Sequence, residues 1–221
     1  MLRRLLALIK KVVRAVLGLH TKYVEGDLDR DVFVRTSAAL IVGARAQART
    51  IATLATRGEI EQQSGEPLPL TPAPDKKAQM SQNAPDETGS LSGSDTDETP
   101  QMRTFQSEEQ RLIAAMEKVL DDDDPTSEAN RLARIAENEP LDAATEAQLE
   151  AMNTEHERIA GWRRVMDSDP CGKCVKWAEN GKVFPLSEPM RRHTGDQCHM
   201  MPVLVDTRTG TELVPDEVYG A

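Results

Sequence analysis

The sequence predicts a mostly α-helical chain that ends in a small α+β unit stapled by cysteine and histidine side chains. Three observations carry that expectation. Apolar residues recur at helical spacing over residues 1–58 and again from 107 to about 166. A Pro-rich acidic stretch separates the two blocks. All three cysteines fall in one window near the C-terminus, Cys171 to Cys198, with His193 inside it and His199 adjoining. The chain thus divides into a basic helical N-terminal region at 1–58, a disordered acidic linker at 59–102, and helices leading into a short-stranded domain at 103–221.

Charge follows the same division. Residues 1–58 hold eleven Lys/Arg against four Asp/Glu, whereas 59–155 hold seven against twenty-three. A basic arm ahead of an acidic middle points to neighbours or partners of opposite sign, or to association between the two halves. Aromatic residues are only 3% of the chain and mean hydropathy is −0.52, so much of the length is not expected to be buried.

Met1 to Leu19 forms an amphipathic helix. Arg3, Arg4, Lys10, Lys11 and Arg14 share an arc of about 120°, and Leu2, Leu5, Leu6, Leu8, Ile9, Val12, Val13, Val16 and Leu17 cover the rest. No apolar run approaches the roughly 20 residues of a membrane span, and Lys10 and Lys11 interrupt what a signal peptide would need. The apolar face is expected to contact either a partner protein or an anionic membrane surface. Asp29 to Arg57 reads as a second, Ala-rich helix stopped by Gly58, giving a helical hairpin with too few large side chains to stand alone. Pro67, Pro69, Pro72, Pro74, Pro85 and Pro100 punctuate the linker, which lacks the apolar surface to offset an ordering cost of about 1–2 kcal/mol per residue.

Ser107 and Gln110 make a capping box ahead of the stripe Leu112, Ile113, Met116, Val119 and Leu120. Asp121 to Asp124 ends that helix, and Asp124-Pro125 begins the next with a cap and a first-turn proline. Beyond Pro140, Asp142 is expected to cap a further helix running to about Met166, with Leu149, Met152, His156, Ile159, Arg163 and Met166 on one face. Lys182 to Pro185, Val203 to Asp206 and Thr211 to Val214 read as short strands, the last two joined by a turn through Arg208, Thr209 and Gly210.

The chemistry sits in the cysteine window. Cys171 and Cys174 are close enough in sequence for both sulfurs to reach one ion. His193 and Cys198 return from a distal loop, and this Cys-Cys-His-Cys set suits a closed tetrahedral structural Zn²⁺ site. A redox CxxC is expected at a helix start in a βαβ unit, and no such alternation is present. An odd, low cysteine count argues against an extracellular disulfide framework. A hydrolase built on Cys171 or Cys174 with His193 is disfavoured because ligation occupies these groups, so no enzyme is expected. Lys173, Lys176, Trp177, Arg191 and Arg192 surround the window and leave open a zinc-stapled nucleic-acid-binding module as the alternative.

The order of Gly161, Trp162, Val165 and Asp167, then Pro170, Cys171 and Cys174, then Ala178, Gly181 and Val183, then His193, Asp196 and Cys198, then Pro202 and Val203 resembles the shared core of the phage Mu F-like minor head proteins. Those are tailed-phage head-morphogenesis proteins, and the likeness is greatest to the actinobacteriophage type. It covers roughly residues 140–205. The resemblance implies a minor capsid component of the virion, in the head interior or portal region and assembled in the host cytoplasm. It further implies association with portal or major capsid protein, contact with packaged DNA, and no settled catalytic activity. Asp196 stands where the family pattern places a further cysteine. That departure leaves open whether Asp196 orients His193 or binds the ion, and whether His199 replaces Cys198.

Overall fold

Leu5, Ile9, Val12 and Val16 fall four, three and four residues apart, and that spacing makes the buried face of α1 (Leu2–Val24). The computed structural model describes residues 1–68, 100–121, 124–166, 169–193, 195, 197–205 and 212–213, with the side chains of all of these except 100–106, 125 and 212–213. A turn with Gly26 at φ +82° leads into α2 (Arg30–Ser64). Its Ala38, Ala44, Ala48 and Ala52 are almost fully buried, so its neighbours approach closely. Two further helices follow, α3 (Pro100–Leu120) and α4 (Pro125–Thr154).

The hairpin finds its partner inside the chain. Val12, Val16, Phe33, Val34 and Ile41 share a core with Leu112 and Met116 of α3 and Leu132 and Ala136 of α4. Leu5, Ile9, Ala48 and Ala52 share another with Leu141, Ala144 and Ala147 of α4. The apolar face of α1, expected to meet a partner protein or a membrane surface, is therefore covered by the chain's own helices. No helix among the described residues is long and apolar enough to cross a membrane.

Several sequence expectations need correction, beginning with the helix boundaries. Gly58 does not stop α2, which continues to Ser64 and ends at Gly65 in the left-handed conformation, φ +69°. Burial of Ile60 beside Met152, Trp162 and Met200 outweighs the roughly 1 kcal/mol helix cost of a glycine. Ser107 lies inside α3 and is not its start. Pro140 lies inside α4, and Asp142 caps nothing; only the Asp124 cap is made as expected, its carboxylate accepting from the Thr126 N–H at 3.0 Å. An internal proline costs about 3 kcal/mol, and the burial of Leu141, Ala143, Ala144 and Ala147 just after it offsets that.

Beside the proline lies the main polar contact of the bundle. Arg45 of α2, 7% exposed, donates to Glu139 Oε2 at 2.6 Å and to the Glu139 carbonyl at 3.2 Å. Arg111 of α3 grips the same carboxylate with two bonds of 2.8 and 2.7 Å. Burial pushes the Glu139 carboxyl up, but the two guanidiniums outweigh it and hold its pKa below the ordinary value. Three helices thus meet at one carboxylate. Losing the Glu139 carboxylate takes from the buried Arg45 its 2.6 Å partner and costs up to about 3–5 kcal/mol, whereas losing the half-exposed Arg111 costs less. A second buried pair, His20 Nε2 to Glu128 Oε2 at 3.0 Å, ties α1 to the start of α4.

The helix expected to reach Met166 ends at Thr154. After a 3₁₀ turn at His156–Arg158 the chain becomes strand β1 (Ile159–Val165). A short helix α5 (Gly172–Ala178) precedes β2 (His199–Val205) and β3 (Glu212–Leu213), and the three strands form an antiparallel sheet in that order. β3 falls within the strand expected at 211–214, β2 overlaps the strand expected at 203–206 but begins four residues earlier, and Lys182 to Pro185 contributes a single bridge, Phe184 to Trp162. β2 and the end of α4 are tied by the buried Gln148, whose amide donates to the Met200 carbonyl at 3.0 Å. The greater part of the expected disordered linker, residues 69–99, and the turn at 206–211 lie outside the described residues.

Glu59 gives the bundle a pH dependence. Burial pushes its carboxyl up to about 6, and Oε2 is buried without a hydrogen bond among the described residues. A raised carboxyl favours folding below its unfolded value of 4.5, and that contribution is lost as pH rises through about 6. Glu59→Gln is expected to raise Tm at pH 7.5, by a stabilisation of at most about 2 kcal/mol, and to leave it nearly unchanged at pH 4. Thermal melts at the two pH values check this, and an equal gain at both contradicts it.

Candidate metal centre

The CxxC pair is built on the first turn of a helix. Cys171 is the N-cap of α5 in extended conformation, and its carbonyl accepts the first helical bond from Val175 N–H at 3.1 Å. Cys171 and Cys174 are therefore three residues apart on one helix face, which points both sulfurs the same way. The N–H of Cys174 donates toward the Cys171 sulfur, with further help from the Lys173 N–H, the Cys174 thiol and the charge of His193. These hold the Cys171 thiol below its usual range although desolvation, second in size only to the Cys174 N–H bond, opposes them. Glu179, Asn180 and Gly181, all at positive φ, then turn the chain back.

His193 is delivered by a loop with almost no secondary structure, fastened at four successive points. Phe184 exchanges two backbone bonds with Trp162 of β1, at 2.9 and 2.8 Å, and the two rings stack with centroids 4.6 Å apart. The Trp162 indole N–H donates to the Glu188 carbonyl at 2.9 Å. Arg164 donates to the Arg191 carbonyl. Arg192 reaches α4, pairing with Asp142 at 3.1 Å and donating to the Thr145 hydroxyl at 3.2 Å. The next residue is His193.

The approach of β1 to the 183–184 backbone leaves no room at 161. A Cβ there would collide with the Phe184 carbonyl oxygen and lie 2.8 Å from Val183 Cγ1. Glycine is required by contact rather than by conformation.

The outcome is a cluster of three donors. Cys171 Sγ, Cys174 Sγ and His193 Nε2 all lie within 4.8 Å of one another, and each sulfur is 3.1 Å from the imidazole nitrogen. A tetrahedral ion with Zn–S of about 2.3 Å and Zn–N of about 2.0 Å spaces such donors about 3.5 Å apart. A separation of a few tenths of an ångström would admit one. None of the three cysteines is in a disulfide. Trp177 packs against the His193 ring, centroids 5.7 Å apart, and the Arg164 guanidinium lies 5.5 Å from the Trp177 centroid. Trp177 is thus held between a cation and the candidate ligand.

The remaining sequence candidates are placed less directly. Cys198 is buried one residue ahead of β2 and is not among the donors that meet within 4.8 Å. His199 lies in β2 opposite Val165, also outside the cluster, and burial pushes its pKa down toward the neutral form. Asp196 lies outside the described residues. Of the basic set, Lys173, Lys176 and Arg191 are exposed, whereas Arg192 is engaged with Asp142 and Thr145. Sequence reasoning named Gly161 and Trp162 for their motif order and Arg192 as a basic residue, but assigned none of them, nor Arg164, an anchoring role.

Compared with protein-family models, curated proteins and solved structures, the chain has no significant match.

Gly161→Ala forces β1 and the 183–184 segment apart. It is expected to cost at least about 2 kcal/mol and to weaken metal retention together with stability. Melting curves alongside metal analysis check this, and unchanged values for both contradict it. The full chain, purified under reducing conditions with zinc supplied, is expected to hold about one zinc per molecule, and Cys171→Ser or His193→Ala to abolish that binding. Stoichiometric zinc that survives either substitution contradicts the assignment.

Proposed function

We propose that this chain is a minor head-morphogenesis protein of a tailed phage. In this reading it is a structural component whose metal-stapled C-terminal unit docks on the portal or major capsid protein and assists head assembly or DNA delivery. Its place is the virion, at the portal or in the head interior, after assembly in the host cytoplasm. The observation that carries the reading is a coincidence of motif and architecture. Gly161, Trp162, Cys171, Cys174 and His193, which carry the Mu F-like resemblance, fall in one small unit, the first two in its tightest backbone contact and the last three in its donor cluster. Side chains given over to holding a loop in place suit a docking module, and this reading assigns them no catalytic task.

The ion we assign is Zn²⁺, because two thiolates and an imidazole suit it and its role here needs no redox chemistry. Cys171, Cys174 and His193 would hold it, with Cys198 as the fourth ligand. Asp196 and His199 are the alternatives for that position. The zinc-stapled nucleic-acid-binding module is the weaker reading for this window, because Arg192 is committed to α4 and Trp177 to Arg164 and His193. One observation favours a third reading, a thiol nucleophile: the exposed Cys171 thiol is held below its usual pKa range and its sulfur lies 3.1 Å from His193 Nε2. Stoichiometric zinc on those same groups removes that reading, since ligation occupies both.

Coexpression with the portal and major capsid proteins of the same phage tests the proposal. The chain is expected to sediment with proheads or with portal rings, and Cys171→Ser to be lost from both. Soluble chain that never enters proheads or virions, in a phage that assembles and infects normally without it, overturns the proposal.

A further inference from the structure

We infer that the solvent face of α1 is a docking surface for the phosphate backbone of duplex nucleic acid, a surface separate from the metal centre and independent of the phage reading. Arg3, Arg4, Lys10, Lys11, Arg14 and Lys22 are all exposed, and none of the six is in an ion pair with a described residue. No acidic residue occurs in the helix, and the first carboxylate that follows it in the sequence is Glu25; Glu128 meets it at His20, on the buried face. At 3.6 residues per turn the cations fall in two rows about 90° apart, Arg3–Lys10–Arg14 and Arg4–Lys11–Lys22. Exposed Ala7 and Gly18 lie on the line between them. The face is about 28 Å long.

Like charges at i,i+3 and i,i+4, as in Lys11–Arg14 and Lys10–Arg14, oppose helix formation. On α2, by contrast, Arg35 is paired with Asp31 and Arg49 with Glu150. Among the described residues this face is left uncompensated, although the chain carries a net charge of −10. A linear polyanion with two rows of phosphates supplies what is missing, since a groove about 12 Å wide accepts a helix that carries cations on both flanks.

A bilayer is the poorer occupant for two reasons. The apolar face that would insert is buried against α2 and α4. A flat anionic plane extending past Lys22 would also meet exposed Glu25, Asp27 and Asp29.

The test is titration of the full, zinc-loaded chain into a labelled 30-base-pair DNA duplex of arbitrary sequence between 50 and 200 mM salt. Six phosphate contacts predict a slope of log K against log salt near −5, hence a loss of affinity of about 10³-fold over that range. Reversing one row, Arg3→Glu with Lys10→Glu and Arg14→Glu, is expected to reduce the slope by about 3. The neutral set Lys10→Gln, Lys11→Gln and Arg14→Gln serves if the reversal disturbs folding, and it should give the same reduction. Lys173→Glu with Lys176→Glu should leave the slope unchanged. The inference is overturned by no binding at 50 mM salt, by a slope indifferent to the α1 variants, or by tighter binding to phosphatidylserine vesicles than to DNA at equal salt.

Discussion

The C-terminal unit depends on one close approach. β1 and the 183–184 backbone come together so tightly at residue 161 that a single methylene would part them. That contact sets the stacking of Trp162 on Phe184 and the indole bond to Glu188. From there Arg164 and Arg192 lead the loop to His193 beside the CxxC turn. A segment with so little regular hydrogen bonding cannot hold such a path by backbone preference. It is held by tethers at one end and, in this account, by an ion at the other.

The same chain solves a second problem, a core poor in aromatic residues. Alanines on α2 let α1 and α4 approach closely, and the helices are locked in register by charge. Glu139 receives Arg45 from one helix and Arg111 from another. Buried ionic contacts of this kind contribute little net stability, but they penalise any arrangement that breaks them. They suit a bundle whose small apolar side chains alone would permit sliding. The acidic and basic halves noted in the sequence meet partly here, across α2, α3 and α4. The basic outer face of α1 takes no part in that compensation.

Much of this was legible in the sequence, and the failures share a cause. The helical hairpin, the Asp124 cap and the β2–β3 pairing follow from spacing and local chemistry alone. The two cysteines and His193 were named from ligand spacing, and the fold brings those three together. Gly58 and Pro140 misled because local propensity was outweighed by burial of Ile60 in one case and of Leu141, Ala143 and Ala144 in the other. The strand at 159–165 was hidden because both its faces are covered: Arg163 and Arg164 are buried alongside Ile159 and Trp162, so the period of two never appears. The tethers of the His193 loop run from side chains to distant carbonyls, a contact type that leaves no periodic trace in a sequence.

The central claim is that an ion held by Cys171, Cys174 and His193 keeps the 182–193 loop in place against a helical bundle that does not need it. Hydrogen exchange on the full chain, with zinc bound and after chelation under reducing conditions, tests this most directly. The account predicts that chelation strips protection from the amides of 172–193, while α1, α2 and α4 keep theirs. Equal protection of the loop in both states would contradict it.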